Sequence, residues 1–265
     1  MKVATWNVNS IRSRLEQVVN WLEQKEVDVL CLQETKVVDA EFPRSQMEQL
    51  GYHIYVSGQK SYNGVAILSR KPLQDVSTGF TPILSHNIEA SRLASLDEQK
   101  RVITGVIDNI RIVNLYVPNG ASVGSEKYEY KLRWLKMLRE YLRSLLLLSP
   151  AICMCGDFNI ALEDRDIHNP ATLTGSIMAS ELERIALKEI LALGFVDAFR
   201  KFASEGGYFS WWDYRSGAFR RNSGWRIDHH YLTAELYKQA NSCIIDTSPR
   251  KLPKPSDHAP VIVEF

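Results

Sequence analysis

Short apolar runs rich in valine, isoleucine and leucine recur along the chain, and polar or turn-forming segments separate them. A run of this length with β-branched residues is typical of a β-strand. Several runs follow one another closely, as in antiparallel hairpins. We therefore predict ten strands, over residues 2–8, 27–33, 52–58, 64–69, 101–107, 110–117, 151–158, 226–233, 242–247 and 260–265.

Three other segments show the helical spacing of apolar residues. Residues 11–25 have one apolar face, with Ser10 placed as the N-cap. Residues 126–148 form the longest predicted helix, and residues 180–193 form another that ends before Gly194. Helices are therefore expected between some of the strands but not between all of them.

The order of these elements indicates the fold class. Strands outnumber helices without a strict strand–helix alternation, so a TIM barrel or a Rossmann fold fits poorly. The sequence has neither G-x-G-x-x-G nor G-x-x-x-x-G-K-[ST]. We predict an α/β fold in which two packed β-sheets are flanked by helices. Residues 1–265 are expected to form a single domain, with a loop around Pro253 before the last strand.

Composition narrows the class of protein. The chain has 265 residues, 45% of them hydrophobic and 24% charged, which is typical of a soluble globular protein. A net charge of +1 argues against binding nucleic acid by bulk charge, but allows a local basic rim. We see no secretory leader and no bilayer-length apolar run, so we expect a cytoplasmic protein without membrane association. The cysteines lack metal-finger spacing and are expected to be buried free thiols: Cys31, Cys153, Cys155 and Cys243.

Polar and acidic side chains stand where the apolar runs end. Carboxylates beside buried strands are costly unless they are paired, hydrogen-bonded or bound to a metal. Several together indicate a hard divalent cation with oxygen ligands, Mg²⁺ or Mn²⁺. The residues at these run ends are Asn7, Asn9, Gln33, Glu34, Asp157, Asn159, Asp228, Asp257 and His258.

Each of these residues has a simpler interpretation when taken alone. Asp157 suits a turn after a strand, and Asp228 suits a pair with Arg226 or with a neighbouring histidine. Their joint occurrence in five segments favours metal and phosphate chemistry. His229 and His230 follow Asp228 in the sequence. We expect a packing or surface role for both histidines, since strand alternation turns one of them away from the site.

Eight longer motifs follow one another along the chain: TWNVNSIRSR, LCLQETK, GQKSYNGVAILSR, NLYVPNG, MCGDFNIA, FSWWDYRS, GWRIDHHYLT and KPSDHAPV. With these motifs, from Trp6 to Val263, the chain resembles the exonuclease III family of AP endonucleases, within the endonuclease/exonuclease/phosphatase superfamily. QE, GDxN and SDH indicate only the superfamily, whereas GQK-x-YNGVA, WxDYR and RID narrow it to the exonuclease III branch. The resemblance implies a four-layer, DNase I-like α/β sandwich with its active site at one edge.

The resemblance also implies the metal site. Glu34 corresponds to the principal ligand. Many relatives have aspartate where this chain has Asn9, which leaves a direct bond from Asn9 to the metal open. The full set of implied ligands is Glu34, Asn9, Asp257, Asp157 and Asn159.

Roles in the reaction follow from the same resemblance. Asp157 is implied to activate the attacking water, with Asn159 holding it. His258 is implied to donate a hydrogen bond to the scissile phosphate, with Asp228 holding its imidazole. Whether Asp157 or Tyr116 takes the proton of the water is left open by the sequence. The implied lining of the phosphate pocket is Asn7 and Tyr116.

Substrate contacts are implied as well. Trp211, Trp225 and Ile227 match the family's apolar pocket for a flipped-out, base-free sugar, although aromatic residues of this kind also serve ordinary core packing. Asn119 is implied to contact a neighbouring phosphate. Basic residues near the motifs are candidates for phosphate contacts along the duplex: Arg12, Arg14, Lys36, Lys60, Lys127, Lys131, Arg215, Arg220, Arg221 and Arg226.

The implied function is hydrolysis of the DNA backbone 5′ to abasic sites, together with 3′→5′ exonuclease and 3′-phosphatase activity. The implied cofactor is Mg²⁺ or Mn²⁺, the implied partner is double-stranded DNA with abasic sites or 3′ ends, and the expected state is a monomer. Two alternatives stay open. One is another phosphoesterase of the superfamily, acting on phosphoinositides or sphingomyelin. The other is a non-catalytic nucleic-acid-binding regulator on the same fold.

Overall fold

The computed structural model describes residues 1–85 and 88–265. Its strands form two six-stranded sheets. The strands are β1 (Lys2–Asn7), β2 (Val29–Gln33), β3 (His53–Ser57), β4 (Val65–Ser69), β5 (Gln74–Thr78), β6 (Val102–Ile107), β7 (Ile110–Tyr116), β8 (Ile152–Asp157), β9 (Phe195–Asp197), β10 (Asp228–Thr233), β11 (Ser242–Ile245) and β12 (Val261–Glu264).

The first sheet has the order β11-β12-β1-β2-β4-β3, and the second has the order β5-β6-β7-β8-β10-β9. Helices lie between and beyond these strands. They are α1 (Ile11–Lys25), α2 (Ser45–Gln49), α3 (Thr81–Leu84), α4 (Ala90–Asp97), α5 (Glu126–Leu148), α6 (Pro170–Leu173), α7 (Glu181–Leu191) and α8 (Ala234–Gln239). Among the described residues, none of these helices is long and apolar enough to cross a membrane.

The two sheets pack face to face, and helices cover their outer faces. In β2, Val29 and Cys31 belong to the core between the sheets, whereas Leu30 and Leu32 pack in the outer core with the apolar face of α1. A strand that is buried on both faces has a continuous run of apolar residues, which explains the apolar runs in the sequence. Helices α5 and α7 cover the other sheet in the same way. The layers are therefore helix, sheet, sheet and helix, and the predicted fold class is confirmed.

All ten predicted strands are present, but β5 and β9 were missed. The residues of β5 are mostly exposed at the edge of the second sheet, and β9 has only three residues, so neither leaves an apolar run. The predicted helix starts are largely confirmed. Ser180 caps α7 by accepting a hydrogen bond from the Glu183 backbone N–H. Ser10 stands at the N-cap of α1 with a φ of 89°, but its side chain makes no capping bond.

Two parallel pairings place the polar strand ends together. Strand β1 pairs in parallel with β2, and β7 pairs in parallel with β8. The carboxyl ends of these central strands carry Asn7, Gln33, Tyr116 and Asp157. The antiparallel strand β10 begins at Asp228, which lies directly opposite Asp157. One edge of the sandwich therefore collects the residues that the sequence placed at run ends.

Candidate active site

Asn7 connects the two halves of the site. Its side-chain amide donates to Glu34 Oε1 at 2.9 Å and to Asp157 Oδ2 at 2.9 Å. Its side-chain Oδ1 accepts from the Asn9 backbone N–H at 3.0 Å. Asn7 is fully buried at the end of β1, so its rotamer is fixed by packing. A carboxylate from each sheet is thereby held on one amide group.

Asp157 is buried where β8 ends. The preceding Gly156 has a φ of 145°, and a Cβ there would lie 1.9 Å from the Leu115 carbonyl oxygen, so only glycine fits. Asp157 Oδ1 accepts from the Asn159 backbone N–H at 2.9 Å. Burial raises the pKa of Asp157, the His258 charge opposes this, and the Asp228 charge adds to it, with a result of about 7. Asp157 can therefore exchange a proton near neutral pH.

His258 lies between two carboxylates. Its Nδ1 is 2.9 Å from Asp228 Oδ2, and its Nε2 is 3.8 Å from Asp157 Oδ2. A carboxylate can only accept, so Nδ1 carries a proton. Burial alone would lower the pKa of His258, but the Asp228 and Asp157 charges outweigh it and raise the pKa to about 10. His258 is thus a cationic donor at neutral pH. The Ser210 hydroxyl accepts from the Asp228 backbone N–H at 3.0 Å and holds this end of β10.

Glu34 faces a cation on its other side. Lys36 Nζ lies 2.8 Å from Glu34 Oε2 and 2.5 Å from Asn9 Oδ1. Burial would raise the pKa of Glu34, but Lys36 and Asn7 keep it below the ordinary value, so the carboxylate is ionised. All three of Asn9, Glu34 and Lys36 have a positive φ, so the backbone turns sharply at each of them. The ammonium shows that these oxygen atoms converge on one cation-sized position.

Asp257 completes this side of the site. Its Oδ1 accepts from the Asn9 amide at 3.0 Å, and its Oδ2 accepts from Trp211 Nε1 at 3.0 Å. Burial would raise the pKa of Asp257, but His258 and these two donors keep it lowered. Ionised oxygen donors from Glu34 and Asp257, with the amide oxygen of Asn9, match the ligand chemistry of Mg²⁺ or Mn²⁺.

Tyr116 and Asn119 line a groove beside the carboxylates, with a volume of about 660 Å³. Burial, together with the Glu34 charge, raises the pKa of Tyr116 well above its ordinary value. Tyr116 is therefore a protonated phenol. The Asn119 amide donates to Asn159 Oδ1 at 3.1 Å. The basic residues in this groove are Arg101, Lys127 and Arg133.

An apolar pocket lies beside His258. Trp211 and Trp225 exchange two backbone hydrogen bonds of 2.9 Å, and Trp211 also pairs with His258. Trp225 and Ile227 belong to one apolar cluster, and the half-buried Trp211 packs against it. Ile227 is almost wholly buried, so it supports the pocket from beneath. The structure thus brings the three predicted pocket residues together.

Two basic residues that the sequence assigned to phosphate contacts are buried instead. The Arg226 guanidinium donates to Asp166 and Asp197, and Lys131 Nζ donates to Glu183. Both cations are desolvated and already paired, so their assignment to phosphate is wrong. The alternative that Asp228 pairs with a neighbouring arginine is also wrong, because Asp228 holds His258.

Two other predicted contacts lie apart from the cluster. Arg12 is exposed and pairs with Glu41 at 3.3 Å. Lys60 is exposed in the loop after β3, and the next residue, Ser61, donates its N–H to the Lys36 carbonyl. Among the hydrogen bonds of residues 1–85 and 88–265, neither side chain reaches the carboxylates.

The two histidines beside Asp228 and the four cysteines are all buried. His229 Nε2 is 3.0 Å from the Ile160 carbonyl, and His230 Nε2 is 3.0 Å from the Val261 carbonyl. All four cysteines are free and buried.

Sequence reasoning missed Ser256. Its hydroxyl donates to the Asn7 carbonyl at 2.6 Å and accepts from the His258 backbone N–H at 3.2 Å. It therefore ties β1 to the histidine loop. Its place two residues before the histidine in the motif KPSDHAPV was the available signal.

The comparisons with known proteins agree with this geometry. The model of the Endonuclease/Exonuclease/phosphatase family matches residues 4–258. The chain is 34% identical to an exodeoxyribonuclease of Bacillus subtilis over 98% of both chains. It is 33% identical to exodeoxyribonuclease III of Haemophilus influenzae over the full length of both.

Solved structures show the same fold. A 3′–5′ exonuclease from Neisseria meningitidis superposes with a TM-score of 0.93 at 39% identity, covering 100% of this chain and 99% of that one. An AP endonuclease from Archaeoglobus fulgidus gives a TM-score of 0.91 at 41% identity with the same coverage. A 3′ phosphatase from Neisseria, solved with a product DNA hairpin, gives 0.92 at 38% identity, again with 100% and 99% coverage. The chain therefore belongs to the Endonuclease/Exonuclease/phosphatase family and, within it, to the exonuclease III family of AP endonucleases.

Proposed function

We propose that this protein is a DNA-repair phosphodiesterase that cuts the DNA backbone 5′ to abasic sites and removes nucleotides or blocking groups from 3′ ends. The observation that carries the proposal is the buried Asp157 carboxylate, which stands between the His258 cation and the Asn7 amide that also binds Glu34. Phosphodiester hydrolysis needs a base for water and positive charge for the phosphate oxygens, and this cluster supplies both.

Asp157 is the proton acceptor in this proposal. Its pKa of about 7 suits a base that works near neutral pH. Tyr116 stays protonated because its pKa is raised well above the ordinary value, so it donates to the phosphate. His258 donates from Nε2 to a non-bridging phosphate oxygen, while Asp228 keeps its imidazole charged and oriented.

A divalent cation, Mg²⁺ or Mn²⁺, would be held by Glu34, Asn9 and Asp257. Asp157 and Asn159 would lie on the other side of Asn7 from this cation. When bound, such a cation polarises a phosphoryl oxygen and stabilises the leaving 3′ alkoxide. Lys36 then has to release Glu34 and Asn9, and its freed ammonium becomes available to a phosphate.

Double-stranded DNA fits on both sides of the carboxylates. The groove beside Tyr116 and Asn119 carries exposed basic residues that suit a phosphate backbone. The pocket at Trp211 and Trp225 suits a base-free sugar, which is extruded at low cost. We propose that the protein acts as a monomer of one domain in the cytoplasm, where four free thiols stay reduced.

A substrate panel tests the proposal. The purified chain is incubated with Mg²⁺, Mn²⁺ or EDTA and one of four substrates: a duplex with a single abasic-site analogue, a duplex with a 3′ phosphate, an inositol phosphate, and sphingomyelin. We expect cation-dependent incision 5′ to the abasic site, and EDTA should abolish it. Stepwise shortening from the 3′ end without incision would restrict the activity to an exonuclease. Release of phosphate from the inositol substrate alone would overturn the proposal.

A further inference from the structure

A second cluster of metal-ligating side chains lies in the core between the sheets. The ligand atoms of Cys153, Cys155 and His230 all lie within 4.8 Å of one another. His230 Nδ1 is 3.7 Å from Cys153 Sγ. All three residues are fully buried. Nothing in the hydrolytic site described above uses them.

The hydrogen bonds of His230 fix its tautomer. Nε2 lies 3.0 Å from the Val261 carbonyl oxygen, which can only accept, so Nε2 carries the proton. Nδ1 therefore keeps its lone pair, and that lone pair faces the Cys153 thiol. A histidine that binds a metal ion usually donates its other ring N–H to a backbone carbonyl in this way. His229 differs, because its Nδ1 faces the Arg226 guanidinium.

The three donors are two thiols and one imidazole. Cysteine and histidine are common ligands of zinc, and a site with three protein ligands leaves a fourth position for water. Zinc lies about 2.3 Å from a thiolate and about 2.0 Å from an imidazole nitrogen, which places neighbouring ligand atoms roughly 3.7 Å apart. Donor atoms that lie up to 4.8 Å apart must therefore close in by up to about 1 Å.

We propose that Cys153, Cys155 and His230 form a binding site for one soft divalent cation, such as Zn²⁺ or Cd²⁺, and that occupancy inhibits the nuclease. Binding replaces the S–H bonds of the coordinating thiols with metal–sulfur bonds, and one proton per thiol leaves to solvent. No oxidant or reductant takes part. The site differs from the hydrolytic cation site, whose donors are oxygen atoms.

The inhibitory effect follows from the strand register. Cys155 pairs with His230 in the same ladder in which Asp157 pairs with Asp228. Successive residues alternate across a strand, so the four side chains stand on one face, two residues apart. A cation that draws Cys155 and His230 together moves the strand ends that carry Asp157 and Asp228. A displacement of about 1 Å at such groups costs on the order of 10²-fold in rate.

The test is titration of the purified protein with Cd²⁺, with Mg²⁺ in excess to occupy the oxygen-ligand site. Thiolate-to-cadmium charge transfer absorbs in the ultraviolet and reports sulfur ligation alone. We expect this band to saturate at one Cd²⁺ per chain while incision of the abasic duplex falls in parallel. A Glu34→Gln variant should show the same band, because its altered ligand belongs to the other site.

Variants locate the ion. Cys153→Ser and Cys155→Ser should lose the band and keep their activity in Cd²⁺. Cys243→Ser is the matched control, since Cys243 is a buried thiol of the same core and should retain both band and inhibition. Cys153→Ala and Cys155→Ala serve if a serine variant does not fold by circular dichroism. The proposal is overturned if the folded native protein gives no band, if both serine variants keep it, or if the band saturates without loss of incision.

Discussion

Replacing Asp228 with asparagine removes the charge that keeps His258 protonated while preserving the shape of the pair. The asparagine oxygen can still accept from His258 Nδ1, where the carboxylate now accepts at 2.9 Å. The pKa of His258 is raised from 6.5 to about 10, and Asp228 is the largest cause that raises it. Without that charge the pKa of His258 falls, because burial lowers it and only the Asp157 and Asp257 charges remain to oppose burial. Asp228 is thus a positioning residue that acts through His258.

The size of the loss of stability in Asp228→Asn follows from the Asp228–His258 ion pair. A rise from 6.5 to about 10 corresponds to several kcal/mol, at about 1.4 kcal/mol per pH unit. This agrees with the loss of about 3–5 kcal/mol that follows when one partner of a buried ion pair is removed. Because the folded-state pKa lies above the ordinary value, this stability is fully present below about pH 6.5 and is lost as the pH rises through about 10. At neutral pH, Asp228→Asn should therefore unfold at a lower denaturant concentration.

The assay is the pH profile of kcat/KM for incision of the abasic duplex. In the native enzyme, Asp157 must be deprotonated and His258 protonated, so activity rises near pH 7 and falls towards pH 10. In Asp228→Asn the alkaline limb should move to lower pH, and activity at neutral pH should fall by about 10²-fold. Asp108→Asn, which alters an exposed surface pair with Lys71, is the matched control. An alkaline limb that stays in place in Asp228→Asn refutes the role given to this pair.

Three further predictions concern the metal site, the buried ion pairs and a helix cap. Asn9→Asp adds a carboxylate at the proposed cation position, so half-maximal activity should need about tenfold less Mg²⁺. As a control, Asn109→Asp in a distant turn should leave this Mg²⁺ requirement unchanged. Arg226→Gln leaves two buried carboxylates without their cation and should destabilise the fold by about 3–5 kcal/mol in urea unfolding. Lys127→Gln should instead keep the stability and reduce the salt dependence of DNA binding by roughly one phosphate contact. Ser180→Ala removes the cap of α7 and should cost about 1 kcal/mol in unfolding while kcat/KM stays constant.

Much of the fold could be predicted because the central strands are buried on both faces. Such strands leave continuous apolar runs, and the side chains that end them mark the edge where the site lies. Strand β5 was missed because its residues are mostly exposed, and β9 because three residues make no pattern.

Pairing between distant residues was the part that sequence could not supply. From the sequence, Arg226 and Lys131 were predicted to be surface cations, because their carboxylate partners are distant in the sequence. The sequence predicted that Lys36 contacts phosphate. In the structure its ammonium binds the Glu34 carboxylate, because the backbone turns at positive φ at both residues. The register that sets Asp157 opposite Asp228 likewise depends on tertiary structure.

Single-turnover incision by an Asp157→Asn variant tests the account most directly. The variant keeps the shape of the side chain but cannot take a proton from water. Binding to the abasic duplex is measured on the same sample, so a loss of rate cannot be confused with a loss of affinity. We predict unchanged binding in Mg²⁺ and a cleavage rate lower by about 10²- to 10⁴-fold. A rate within about threefold of the native enzyme, at equal binding, would contradict the role of Asp157 as the base.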